Sequence, residues 1–166
     1  LCWRDPAVAS CASNLLWQDS AMDLDLSRAL HGLVIRLDRA ADRLLRAEVG
    51  IGYAQFLTLY AVRDVGQGTQ REVASWLGTT EAPVSRSLRG LAKQGLIEIS
   101  DSTAPGHRRR VELTGEGSRL VESGGQLLER RLELLLSTAN VPYETYRTMT
   151  ERLLASLPAD QGRSES

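Results

Sequence analysis

The sequence predicts a mainly α-helical fold that carries one small β-hairpin. Three observations lead there. Apolar residues recur at three- and four-residue steps through most of the chain. Glycines and capping residues cut that pattern into helices of ordinary length. One stretch, residues 96–113, instead alternates apolar and polar residues on either side of a turn-rich segment.

Residues 1–22 lack a clear period and are too acidic for a signal peptide, so they are set aside as an N-terminal extension of uncertain structure. From Leu24 to Glu48, Leu26, Leu30, Leu33, Leu37, Ala40 and Leu44 mark one helical face. Gly50 and Gly52 end it. A second helix runs from about Tyr53 to Val65, carrying Phe56, Leu59 and Tyr60, and stops at Gly66-Gln67-Gly68. Thr69 with Glu72 is a capping-box pair, since a hydroxyl and an acid three residues apart can each satisfy the other's backbone N–H. The short helix it opens holds Val73, Ala74 and Leu77 before Gly78.

Thr79-Thr80 starts another helix at once, and Pro83 is tolerated because it falls in the first turn. Val84, Leu88 and Leu91 give this helix its apolar face, and Gly95 closes it. Leu96–Ser100 and Arg109–Leu113 read as the two strands of a hairpin, with Asp101–Gly106 as its tip. Thr114 and Gly117 mark the next junction. A long helix with Leu120, Leu127, Leu128, Leu132 and Leu135 follows, and Asn140 and Pro142 interrupt it. The last helix holds Tyr146, Met149, Leu153 and Leu157, and the tail from Ala159 is polar.

Composition limits the functional classes. The balance of 42% apolar and 25% charged residues is that of a soluble globular chain, and no apolar run approaches the roughly 20 residues that span a bilayer. A cytoplasmic protein is expected. The two cysteines, Cys2 and Cys11, form no disulfide framework, and two histidines give little material for zinc. No nucleophile–base set, glycine-rich phosphate loop or metal set is present, so neither an enzyme nor a bound cofactor is expected. The net charge is −1, yet residues 63–110 carry 8 basic against 5 acidic groups, which makes the middle of the chain its positive part.

Two short helices joined by a glycine turn, then a hairpin, make a winged helix-turn-helix pattern. A helix that enters a major groove must present small or polar side chains at its start, and arginines that can reach guanine or phosphate. Thr80, Ala82, Pro83, Ser85, Arg86 and Arg89 meet that requirement. His107, Arg108 and Arg109 stand where a hairpin tip would reach the backbone or a minor groove. Strand alternation turns at least one residue of Arg108-Arg109-Arg110 away from DNA.

Four fragments carry a family resemblance: Val73-Ala74-Ser75-Trp76-Leu77-Gly78, Val84-Ser85-Arg86-Ser87-Leu88, Leu91-Ala92-Lys93-Gln94-Gly95-Leu96-Ile97 and Leu113-Thr114-Gly115-Glu116-Gly117. In order and spacing the chain from about Leu24 to Leu157 resembles the MarR (multiple antibiotic resistance regulator) family. The resemblance implies a homodimer joined by its first and last two helices, and a pseudo-palindromic double-stranded DNA operator. It also implies release of DNA by a small ligand or by oxidation, and a recognition helix from Thr80 to Gln94. One departure stands out. Family wings place an Asp two residues before an Arg, and here those positions read Pro105 and His107, followed by Arg108. Wing contacts then fall to Arg108 or Arg109, and His107 would make them pH-sensitive.

These readings divide the chain into an extension at 1–22, a first dimerisation helix at 23–52, a winged helix-turn-helix domain at 53–114, C-terminal dimerisation helices at 115–158 and a tail at 159–166. The expected function is that of a transcriptional repressor released by a small aromatic or phenolic effector. His31, Tyr53, Phe56 and Tyr60 are the candidate pocket residues; the competing assignment is that they are core residues with satisfied hydroxyls. Two alternatives remain: a thiol-based redox sensor of the same fold using Cys11, and a winged-helix adaptor that does not bind DNA. Cys11 has no basic neighbour in sequence to lower its pKa.

Overall fold

A computed structural model describes residues 7–100 and 109–157, with side chains from residue 25 onward. The elements follow in the order α1 (Ala7–Glu48), α2 (Tyr53–Val65), β1 (Gly68–Thr69), α3 (Gln70–Trp76), α4 (Glu81–Lys93), β2 (Ile97–Ser100), β3 (Arg110–Leu113), α5 (Gly115–Thr138) and α6 (Tyr143–Ser156). The mainly helical class with a small hairpin is therefore the observed one. The chain divides into two compact units, Leu1–Ala41 and Asp42–Ser166.

In the first unit, α1 is already helical at Ala7, although the sequence shows no apolar period before Leu24. The side chains of Leu26, Leu30, Leu33 and Val34 are exposed there.

The second unit holds the core. Helix α2 is its hub, packing against α3, α4, α5 and β3. Leu59 and Val62 from α2, Val73 from α3, Val84, Leu88 and Leu91 from α4, Val111 from β3 and Val121 from α5 are all at most 3% exposed. Leu59, Val73, Val84, Leu88 and Leu91 are positions the three- and four-residue spacing selects, whereas Val62 and Val121 are not singled out by it and Val111 comes from a strand. The entry to α2 is fixed from α1: Asp42 Oδ1 accepts a hydrogen bond from Tyr53 N at 2.9 Å, and Asp42 Oδ2 accepts from Arg46 Nε at 2.8 Å. The acid thus caps the first turn of the next helix, where backbone N–H groups have no partner of their own.

The sheet has three strands in the order β1-β3-β2, one more than a simple hairpin. Strand β1 is two residues long, too short to display a period, and it pairs Gly68 with Val111 and Thr69 with Arg110. Thr69 does two jobs. It is a ladder residue of the sheet, and it is also the N-cap of α3. Its side chain accepts from Glu72 N, while Glu72 Oε2 accepts from Thr69 N at 2.6 Å.

The junction into α5 is equally tight. Thr114 Oγ1 donates to the Gly95 carbonyl at 2.7 Å and accepts from Gly117 N at 3.1 Å, while Thr114 N donates to the Leu96 carbonyl at 3.1 Å. Only glycine fits at 117, because a Cβ there would lie 2.0 Å from the Leu96 carbonyl oxygen.

Candidate nucleic-acid interface

The turn between α3 and α4 depends on Gly78, whose φ of 61° favours a residue without a Cβ. Thr80 is the N-cap of α4, and its side chain makes no capping bond to the helix. The first N–H groups of α4 and the positive end of its dipole are thereby left for an outside acceptor such as a phosphate.

Along α4 the two faces separate cleanly. Val84, Leu88 and Leu91 are buried. Ala82, Pro83, Arg86, Arg89 and Lys93 are exposed, and the spacing of 82, 86, 89 and 93 makes them one stripe. Among the described residues, neither Arg86 nor Arg89 forms an ion pair, so the stripe keeps its charge. Thr80 is exposed at the start of this face. Ser85 is half-buried on its flank, so less of it is open to a partner than of the arginines.

Two residues of α4 escaped the sequence reading. Glu81, the first residue of α4, is exposed, and Gln70 Nε2 donates to its carbonyl oxygen at 3.4 Å and to Oε2 at 3.5 Å. A carboxylate here supports the helix dipole but repels a phosphate. Lys93 extends the basic stripe by one turn; its i+4 relation to Arg89 was the available signal. In the wing, Arg109 and Arg110 are exposed where β3 begins, at the end of the hairpin nearest its tip. His107 and Arg108 lie outside the described residues, as does the side chain of Cys11.

A second feature opens on another side of α2. Tyr53, Phe56, Leu57, Tyr60 and Arg63 from α2, Trp76 from α3, and Val121, Glu122, Gln126, Leu128 and Glu129 from α5 line a cavity of about 570 Å³. Three of the four proposed pocket residues thus meet, with Phe56 in its floor at 2% exposure. The fourth, His31, is exposed on α1 in the other unit, whereas this lining comes entirely from the second unit. The sequence reading missed Trp76, Arg63 and the two glutamates. Tyr60 is the centre of the wall: its ring lies 6.1 Å from Phe56 and 6.0 Å from Trp76, and the Arg63 guanidinium carbon sits 3.8 Å from its centroid. Partial burial works against the charge on Arg63, but Tyr60 and Asp64 outweigh it and raise its pKa.

Residues 52–117 match the family of winged helix DNA-binding domains. The chain is similar to wild-type apo MarR from E. coli, with a TM-score of 0.68 and 26% identity over 80% of this chain and 96% of that one. A cysteine-to-serine mutant of E. coli MarR complexed with operator DNA matches with a TM-score of 0.69 and 26% identity, over 82% of this chain and 96% of that one. The S. aureus MepR–DNA complex matches with a TM-score of 0.65 and 26% identity, over 79% and 97%. No curated protein matches the sequence. Among the described residues, no helix is long and apolar enough to cross a membrane. A winged helix DNA-binding domain at 52–117, a basic stripe on its second short helix and this likeness across about four-fifths of the chain together make the protein similar to the MarR and MepR regulators.

Proposed function

We propose that the chain represses transcription by binding a pseudo-palindromic operator as a homodimer, and that a small aromatic ligand releases it. The observation that carries the DNA assignment is the exposed Arg86–Arg89–Lys93 stripe, without an ion pair among the described residues, on a helix whose other face is buried. Arg86 and Arg89 read base edges or phosphates, Ala82 and Pro83 allow close approach, and Arg109 with Arg108 and His107 contacts the flanking backbone.

Dimerisation rests on uncovered apolar surface. Met149, Leu153, Leu154 and Leu157 on and just beyond α6 are 60–66% exposed, and α1 exposes Leu26, Leu30, Leu33 and Val34. Leucine faces of this extent are ordinarily covered by a second chain. The ligand reading rests on the cavity at Tyr53, Phe56 and Tyr60, beside the helix that supports α4.

A salt-dependent gel shift on the promoter of its own gene tests the assignment. The Arg86→Ala, Arg89→Ala double variant should lose at least about tenfold in affinity. Wild-type binding by that variant would remove α4 as the reading element.

A further inference from the structure

The cavity's charge differs from what an aromatic acid requires. Among the described residues Arg63 is the one cation in its lining, and it is already engaged: its Nε and Nη2 donate to Asp64 Oδ1 at 3.2 and 3.0 Å, and its face covers Tyr60. The lining also carries two carboxylates. Glu129 accepts from the Tyr143 hydroxyl, while Glu122 has no hydrogen bond or ion pair among the described residues. The indole of Trp76 remains 43% exposed although its ring packs against Tyr60 at a 41° tilt. Aromatic faces beside an uncompensated carboxylate favour a cation, because the ring quadrupole and the carboxylate attract the same charge.

We propose that the cleft between α2, Trp76 and α5 takes an aromatic organic cation, stacked on Trp76 and Tyr60 with its charge toward Glu122 and Glu129. This rests on the cleft being the effector site, and it sharpens that reading by fixing the charge of the ligand. The arrangement already holds one planar cation on an aromatic face, the Arg63 guanidinium over Tyr60. Arg63 competes with the ligand for that face rather than pairing with it. An aromatic acid would instead meet two like charges and an arginine already paired with Asp64.

Two probes of matched shape separate the cases: 1-naphthylmethylammonium and 1-naphthoate, titrated against the full chain by quenching of tryptophan fluorescence. A Trp76→Phe variant supplies the blank for Trp3 and Trp17. The ammonium should bind about tenfold more tightly than the carboxylate. Glu122→Gln should cut that preference about threefold, and Arg63→Ala should leave the ammonium bound as well or better. Naphthoate binding equal to or tighter than the ammonium, and lost in Arg63→Ala, would overturn the cation assignment while leaving the cleft as an effector site. If neither probe quenches in a Trp76-dependent way, the cleft is no effector site and both readings fall.

Discussion

The hydroxyls of Thr58 and Ser87 meet at 3.1 Å between α2 and α4. Thr58 is 3% exposed, and its single proton goes to the Ala54 carbonyl at 2.9 Å, so Ser87 is the donor to Thr58. This is a polar joint between the helix that lines the cavity and the helix that carries the arginine stripe. A double-mutant cycle of Thr58→Val and Ser87→Ala, read by urea unfolding, should give a coupling of about 1 kcal/mol. A coupling near zero would mean that the two hydroxyls are merely adjacent.

Glu81 stands at the N-terminal end of α4, the end that the proposed interface turns toward DNA, where its charge would oppose that of phosphate. Glu81→Gln should raise affinity for random-sequence DNA by a few-fold at low salt, and the gain should shrink as salt rises. Unchanged affinity at every salt concentration would place Glu81 away from the phosphates.

Asp42 links acid to stability. Its hydrogen bond from Arg46, then that from Tyr53 N–H, hold its pKa below the ordinary carboxylate value of 3.8. A depressed folded pKa gives stability that is present above the unfolded value and lost as pH falls through the folded one. Asp42→Asn should therefore be destabilised near neutrality and lose less than the parent as pH drops below about 4. Parallel stability curves for the two proteins across that window would remove Asp42 as a titrating cap.

Gly117 and Gly124 test two close approaches. A Cβ at 117 would meet backbone at 2.0 Å, while one at 124 would meet the Phe56 ring at 2.6 Å. Gly117→Ala should cost about 1–3 kcal/mol or more by thermal melting, because a backbone must move. Gly124→Ala presses on a side chain at the floor of the cavity, so it should also change binding of the naphthyl probes.

Much of this was legible in the sequence because it depends on local chemistry. The bounds of α2 follow from Gly52 and Gly66, those of α3 from the Thr69–Glu72 pair, and the buried face of α4 from the spacing of Val84, Leu88 and Leu91. What escaped depends on packing. Trp76 meets Tyr60 only because α3 folds back on α2, and no periodicity links positions 60 and 76. Strand β1 exists only through its partner β3. His31 has the chemistry of a pocket residue, but nothing local told which unit it would join.

Thr69 has a consequence for how a half-site can be read. The same residue anchors the third strand to the wing and starts the helix that leads into the turn before α4. The base of the wing and the helix-turn-helix therefore share a fixed point and have few independent degrees of freedom. An operator whose flanking groove is displaced relative to the contacted bases cannot be met by swinging the wing alone. In the proposed mode of binding the DNA must deform, or the whole reading head must tilt, which would give half-site selectivity a mechanical component that no single side chain supplies.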